Sequence, residues 1–281
     1  MSKENSLIRQ KVWRIIDQTT MGPGFSAMNS FAIDDALCTV SGKGLIPATA
    51  RAWVHPPTVV LGIQDGRLPY LDEGVGYLHT RGYDAIIRNS GGLAVVLDEG
   101  VLNVSLIFNE QEGRIDINRG YEAMAQLAEE MFAGYGVTIK AGEIKGSYCP
   151  GSYDLSVGGK KFAGISQRRI RHGVAVQMYL CVAGSGAERA ELVREFYSRS
   201  KREAETKFVY PDINPGVMAS LSELLHEELS VQDVMMKLLM TLQNNGDSIY
   251  SSQLSGEEAD LFGAYYARIK ERNERIKPRT S

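Results

Sequence analysis

Two residues twelve positions apart carry the most reactive chemistry in this sequence. Cys149 lies in Lys145-Gly-Ser-Tyr-Cys-Pro-Gly-Ser-Tyr-Asp154, where small and turn-forming residues on both sides predict an exposed loop. Lys161 lies in Lys160-Lys-Phe-Ala-Gly-Ile-Ser-Gln-Arg168. The thiolate is the nucleophilic form of cysteine, so a lysine folded back beside Cys149 would favour the reactive species. Together the two predict covalent acyl transfer with Cys149 as nucleophile. Each has a plainer reading in isolation, because a lone cysteine is most often a small buried hydrophobe and a lone lysine a solvated one. Lys160 is read in that plain way. Tyr148 and Pro150, on a polar glycine-bearing loop, are poor surroundings for a buried cysteine.

The other candidate groups are few. Cys38 falls on an apolar helical stripe and Cys181 in an alternating strand, so both are read as structural free thiols. Three widely separated cysteines suit neither a disulfide framework nor a zinc site. His55, His79, His172 and His226 sit apart and none completes a Cys-His pair, so all four are read as structural or surface residues, and no metal is expected. The formal net charge of −3 argues against a nucleic-acid binder. Only Arg168, Arg169, Arg171 and His172 form a small basic cluster, which could meet an acidic protein. No apolar run approaches the roughly 20 residues of a membrane span, and Met1-Ser-Lys-Glu-Asn-Ser leads into no signal core, so a cytoplasmic protein with no membrane partner is expected.

The elements that must position these residues read as a mixed architecture. Helices are expected over Ser26–Val40, where Phe31, Asp34, Asp35 and Cys38 fall at spacings of three, four and seven, over Pro69–Arg81, and over Arg119–Tyr135, where Tyr121, Met124, Leu127, Ala128 and Met131 share one stripe. Thr58–Ile63, Tyr83–Arg88 and Val101–Phe108 are short, rich in β-branched residues and bounded by glycine or charge, as strands are. Tyr153–Val157 and Lys160–Gln167 flank Gly158-Gly159, a dipeptide suited to the positive φ of a tight hairpin. Gly173–Val182 alternates, with Val174, Val176, Met178 and Leu180 on one face and Gln177, Tyr179 and Cys181 on the other. From Glu188 onward the pattern is helical, and Ser220-x-x-Glu223 and Ser255-x-x-Glu258 predict two capping boxes. The expectation is one domain over residues 1–281, of α/β (α+β) class, with a mixed, largely antiparallel central sheet, flanking helices and a helical C-terminal region over about 216–277. The ends, up to about Gln10 and after Lys277, are expected to fray.

A second stretch, Arg88-Asn-Ser-Gly-Gly-Leu-Ala-Val-Val-Leu-Asp98, follows a predicted strand and places two glycines where backbone can approach a ligand. With Lys161-Phe-Ala-Gly-Ile-Ser-Gln167 it resembles the superfamily of lipoate-protein ligases and lipoyl or octanoyl transferases, related in fold to biotin protein ligases. The resemblance covers nearly the whole chain, and both motifs occur in the family's order. It implies a class II synthetase-like catalytic fold. It also implies substrate contacts from Arg88, Asn89, Ser90, Gly91, Gly92 and Leu93 in the first motif and from Gly164, Ile165 and Ser166 in the second. Leu93, Ala94, Val95 and Ile165 are candidates to line an acyl tunnel. The ligases generally show a third glycine and a histidine before the aspartate. Here Leu93 follows Gly91-Gly92 and Leu97 precedes Asp98, which favours the transferase branch.

That branch implies an ATP-independent relay with no cofactor. An octanoyl group would leave a lysine of the glycine cleavage H protein, rest on Cys149 as a thioester, and pass to a lysine on the lipoyl domain of a 2-oxoacid dehydrogenase. Lys161 is implied to favour the Cys149 thiolate and orient the bound carbonyl. Octanoyl-acyl-carrier protein stays open as an alternative donor. An ATP-dependent ligase and a carrier-binding module without chemistry are more distant readings.

Overall fold

The computed structural model describes residues 6–276 apart from residue 112. The chain opens with strand β1 (Gln10–Gln18), which sends Trp13 and Ile15 to one face of a sheet and Ile16 to the other. Helix α1 (Ala27–Ser41) follows, its first turn capped by the Ser26 hydroxyl, which accepts from the Met28 amide at 3.3 Å. Strands β2 (Thr49–Trp53) and β3 (Thr58–Leu61), helix α2 (Leu71–Thr80), and strands β4 (Asp84–Ile87), β5 (Val95–Leu97) and β6 (Val101–Asn109) come next. Helix α3 (Ile117–Phe132), capped by Asp116, leads to β7 (Lys140–Ala141), β8 (Leu155–Val157), β9 (Lys160–Ile170) and β10 (Gly173–Cys181). The chain closes with α4 (Gly186–Lys201), α5 (Leu221–Leu225), α6 (Val231–Asn244), β11 (Gly246–Ser251) and α7 (Glu257–Asn273).

Among the described residues the strands form two sheets. The larger has the order β11-β1-β2-β6-β10-β9-β8-β7, with both β1 pairings parallel and the rest antiparallel. The smaller has the order β4-β3-β5. One face of the large sheet packs Trp13, Val104, Leu106, Val176 and Leu180 against α3 and α6. Its other face meets α1 through Ile16, Trp53, Ile107 and Ala175. Tyr179 and Cys181 on that second face instead join the core between the small sheet, α2 and α4. The mixed, largely antiparallel sheet with flanking helices expected from the sequence is therefore the architecture found.

Local chemistry accounts for the turns. Gly158 and Gly159 take φ of 58° and 80°, the doubly left-handed turn that joins β8 to β9 in two residues. Ser220 and Glu223 form the expected capping box, and Ser230 with Asp233 forms another. The box expected at Ser255 is only half made. Gly256 is the N-cap of α7, and the Glu258 carboxylate accepts from the Ser255 amide at 3.0 Å while pairing with the buried Arg14.

Two expectations need correction. The region over about 216–277 is not wholly helical, because β11 adds to the sheet edge beside β1. Its polar sequence and half-exposed faces carry little strand signal. The chain up to Gln10 is not frayed where it is described: Ser6, Leu7 and Ile8 are buried, the Ile8 carbonyl accepts from Trp13 Nε1 at 3.0 Å, and Gln10 begins β1. The expectation for residues 1–5 and 277–281 lies outside the described residues. Both faces of β10 are buried, so its expected alternation separates two cores.

The close seating of α1 on β10 depends on Gly173, where a β-carbon would overlap the Cys38 carbonyl. Gly173→Ala is expected to destabilise the protein by roughly 1–3 kcal/mol, read from the midpoint of urea unfolding.

Candidate active site

The loop between β7 and β8 folds around a buried ion pair. Lys161, the second residue of β9, is fully buried, and its ammonium lies 2.9 Å from Asp154 Oδ1. It donates also to the carbonyls of Tyr148 at 3.0 Å and Cys149 at 2.9 Å, with Ser147 Oγ at 3.4 Å. Asp154 accepts from the Gly151 amide at 3.1 Å, and burial raises its carboxyl above the usual range despite the Lys161 charge. A buried ammonium without acceptors would be costly, so the loop backbone turns its carbonyls toward Lys161. Cys149 is held at φ 46°, a left-handed conformation that costs a non-glycine residue about 1 kcal/mol.

Of the three cysteines, only Cys149 is more than buried thiol. Cys38 and Cys181 are both 0% exposed, and burial pushes the Cys38 thiol up to about 12 and the Cys181 thiol upward. These are the core residues the sequence predicts.

The Cys149 sulfur faces the loop Arg88–Ala94, which joins β4 to β5 in the small sheet. The Leu93 amide donates to Sγ at 3.2 Å and Arg88 Nη2 stands 3.6 Å from it. Arg88 Nη2 also donates to the Leu93 carbonyl at 2.7 Å. The sequence reading places Lys161 beside the thiol; here the cation that touches sulfur is Arg88, and Lys161 grips the backbone of the same cysteine from beneath. Asp154, which was not singled out, is what draws the ammonium away. Gly92 has φ 96°, and a β-carbon there would overlap Arg88 Nη2 and come within 3.1 Å of Sγ. The second glycine is thus needed for conformation and for space.

The thiol opens onto a cavity of about 220 Å³ bounded by Arg88, Gly91, Gly92, Tyr121 and Pro150. Arg88, Val95, Gly164, Ser166 and Tyr179 also border a deeper apolar chamber of about 60 Å³, closed by Phe31, Trp53, Val60 and Leu97. Gly164 lacks the β-carbon that would collide with the Tyr179 ring, so the ring packs directly against strand β9 where both border the two cavities. Ile165 borders the outer cavity.

Other predicted residues are placed differently. Leu93 faces a separate groove of about 510 Å³ with Pro150, Phe208 and Val209, and Ala94 packs in the small-sheet core. Asn89 commits its amide to Asp35 Oδ2 at 2.7 Å, and Ser90 is buried with no partner for its hydroxyl. Arg168 holds the same Asp35 at 2.8 Å, and Arg169 pairs with Glu110 at 3.2 Å, so two members of the basic cluster are already engaged within the chain.

His55 and a buried polar network border the deep chamber, and neither was singled out as functional. His55 is 1% exposed. Its Nδ1 is 2.9 Å from the Phe25 carbonyl, which can only accept, so Nδ1 carries the proton and Nε2 is a buried acceptor without a partner. Burial lowers this imidazole to about 4. Beneath the chamber, Arg51 pairs with Asp34 at 2.9 Å and donates to Gln18 and Ser30. Asp34 accepts from Ser105 and from Gln177, each at 2.6 Å. Partners 17 to 143 residues away cannot be read from local sequence. Among the described residues no cluster of three or more acidic, histidine or cysteine side chains could hold a metal, and no helix is long and apolar enough to cross a membrane.

Residues 26–243 match the family model described as the lipoyl protein ligase A/B catalytic domain. The chain is 59% identical over 96% of its length to octanoyl-[GcvH]:protein N-octanoyltransferase of Geobacillus kaustophilus, covering 95% of that protein. It is 50% identical, over 98% of its length and 99% of the relative, to lipoyl-[GcvH]:protein N-lipoyltransferase of Listeria monocytogenes. In fold it is similar to lipoate-protein ligase A bound with ATP, with TM-score 0.69, 17% identity and coverage of 91% of this chain and 94% of that one. It is also similar to a bi-partite lipoate protein ligase from Thermoplasma acidophilum, with TM-score 0.65, 17% identity and 92% of each chain covered.

Two outcomes follow from the buried groups. Lys161→Met strands the Asp154 carboxylate and is expected to destabilise the protein by about 3–5 kcal/mol, with part recovered in Lys161→Met/Asp154→Asn, as measured by urea unfolding. His55 is neutral in the folded protein down to about pH 4, whereas unfolded histidine takes a proton below about 6.5, so its contribution is present above pH 6.5 and lost as pH falls toward 4. His55→Gln is expected to lessen the loss of unfolding free energy across that window by about 3 kcal/mol relative to wild type.

Proposed function

The chain belongs to the lipoyl protein ligase A/B catalytic-domain family, and from that premise we propose that it is a protein N-octanoyltransferase of lipoate assembly. In this reading the octanoyl donor is the octanoyl-lysine of the glycine cleavage H protein, and the acceptor is a lysine of the lipoyl domains of 2-oxoacid dehydrogenase complexes. The enzyme works in the cytoplasm. What carries the reading is the half-buried Cys149 thiol, set on a left-handed loop, contacted by the Leu93 amide and Arg88, and opening onto a cavity that shares its inner wall with an apolar chamber.

The chemistry balances as an exchange of amides. The Cys149 sulfur attacks the octanoyl carbonyl, the carbon–nitrogen bond breaks, and the carrier lysine leaves as an amine bearing the proton that the thiol gave up. The acyl-thioester then meets the lysine of the acceptor, which forms a new amide and restores the thiol. As the carbonyl becomes tetrahedral, negative charge moves from sulfur to an oxygen bonded to the adjacent carbon. The Leu93 amide and the Arg88 guanidinium, already beside the sulfur, are the donors within reach of that oxygen. Lys161 serves by holding the Tyr148 and Cys149 carbonyls, which fixes the angle at which sulfur is presented. Forming a thioester from an amide is uphill and the second step returns to an amide, so the overall exchange needs no ATP.

The octanoyl tail fits the passage bounded by Val95, Gly164 and Tyr179 and the chamber beyond. Gly91, Gly92, Ile165 and Ser166 border its mouth. A lipoyl group is the second reading for the acyl chain, favoured by the lipoyltransferase name of the Listeria monocytogenes relative. Octanoyl is preferred because several relatives at 55–59% identity bear the octanoyl name.

Intact mass of the protein after incubation without ATP with octanoylated H protein tests the proposal. One octanoyl adduct is expected, absent in Cys149→Ala and discharged by a lipoyl domain, with turnover in that variant lower by roughly 10³-fold or more. Loading only from octanoyl-acyl-carrier protein would transfer the assignment to a thioester-donor enzyme. No adduct from either donor would overturn the covalent mechanism.

A further inference from the structure

The peptide bond between Leu93 and Ala94 is held at both ends. Its carbonyl accepts from Arg88 Nη2 at 2.7 Å, and its N–H donates to the Tyr197 hydroxyl at 3.1 Å. Tyr197, on α4, donates its own O–H to Asp65 Oδ1 at 2.9 Å, and Asp65 Oδ2 accepts from the Gly62 amide at 2.7 Å. All of this is buried, with Tyr197 6% exposed and Asp65 and Ala94 0%. A hydroxyl that donates to a carboxylate becomes a stronger acceptor, so Asp65 strengthens the hold on the Ala94 amide. Burial raises the Asp65 carboxyl to about 6, which leaves it ionised at neutral pH.

One residue back along the chain, the Leu93 amide is the donor that reaches Cys149 Sγ at 3.2 Å. The anchor and the sulfur contact are therefore adjacent amides of one short loop. Neither Tyr197 nor Asp65 hydrogen-bonds the sulfur. We propose that Tyr197, backed by Asp65, is a positioning residue for Cys149, fixing the Leu93–Ala94 peptide plane so that the Leu93 amide stays aimed at the sulfur. The Tyr197 ring has packing partners of its own, Phe196 and Tyr210, each at 5.2 Å between centroids. A phenylalanine would keep that packing. The hydroxyl is what the positioning requires, and its loss leaves the Ala94 amide and an Asp65 oxygen without partners.

The catalytic consequence rests on Cys149 being the acylated group, but the thiol can be interrogated without any carrier. Arg88 touches the sulfur, Lys161 and Asp154 lie beneath its loop, and Tyr179 borders the same cavity; Tyr197→Phe and Asp65→Asn leave all four in place. The measurement is the rate of iodoacetamide alkylation across pH, with intact mass to count modified thiols. In the folded chain one thiol reacts, because Cys38 and Cys181 are buried.

Tyr197→Phe is expected to slow alkylation roughly ten-fold at neutral pH, the scale of a hydrogen bond to a charged acceptor, and Asp65→Asn to slow it less. The rates should converge with wild type in alkali, where every thiol is ionised. With octanoylated H protein, kcat should fall while KM stays. Wild-type alkylation and kcat in Tyr197→Phe would overturn the proposal. So would modification of all three thiols in both variants, which would make the chain of bonds a core support only. Absence of an octanoyl adduct on the wild type would sink the transferase reading and leave the alkylation result to stand or fall separately.

Discussion

The Lys161–Asp154 pair is the contact on which the site is built. An ammonium at zero exposure must be surrounded by acceptors, and those it meets are a carboxylate together with the carbonyls and the Ser147 hydroxyl of the loop that carries the thiol. Satisfying that charge turns the loop backbone inward and leaves Cys149 in a conformation that few non-glycine residues adopt. The strained presentation of the sulfur is therefore the surface consequence of a buried electrostatic requirement. The same lysine belongs to β9, whose carbonyl accepts from Ala219, so the pair also ties the thiol loop to the segment leading into α5.

Two sheets meet at this point, and neither could make the site alone. The large sheet supplies the thiol, the lysine and the floor of the cavity; the small sheet supplies Arg88, the paired glycines and the Leu93 amide. Close approaches that tolerate no side chain shape the small-sheet side, at Gly62 against the Gly92 carbonyl and at Gly92 against Arg88, and a β-carbon on Gly92 would also come within 3.1 Å of the Cys149 sulfur across the junction. Below it, the Arg51–Asp34 pair joins α1 to β2, β6 and β10 with its donors and acceptors shared among Gln18, Ser30, Ser105 and Gln177. Broken on one side, such a buried network would leave an uncompensated charge; intact, it makes a rigid wall behind an apolar chamber.

That rigidity bears on the chemistry. On the proposed route a thioester made from an amide is the less stable partner, so donors in place before charge moves from sulfur to oxygen would act with no reorganisation during the step. Arg88 and the Leu93 amide meet this condition because both are tethered: the guanidinium to the Leu93 carbonyl, and the adjoining amide to Tyr197. The apolar chamber adds a water-poor path for the tail. Among the polar atoms of its lining, His55 Nε2, Arg88 Nε and the Tyr179 hydroxyl are buried without partners.

Local chemistry was legible in the residues themselves. The glycine pair at the β8–β9 turn, the Ser220 capping box, the β-branched strands β3 and β6 and the glycine-rich setting of Cys149 each depend on neighbours within a few positions, and each appears as expected. So did the order of the two motifs that carry the family resemblance. The strands β1 and β2 were missed because Arg14 and Arg51 look like solvent-facing charges until Glu258 and Asp34 are seen across the fold. Alternation places Tyr179 and Gln177 on the second face of β10 but says nothing of what covers that face. Lys161 could be linked to the thiol loop from sequence, but its hold on the loop carbonyls, its partner Asp154 and the placing of Arg88 as the cation at sulfur are three-dimensional outcomes. Residue type and short spacing determined which groups could react; distance, burial and charge compensation between remote segments decided which of them touch, and those depend on the packing of the whole chain.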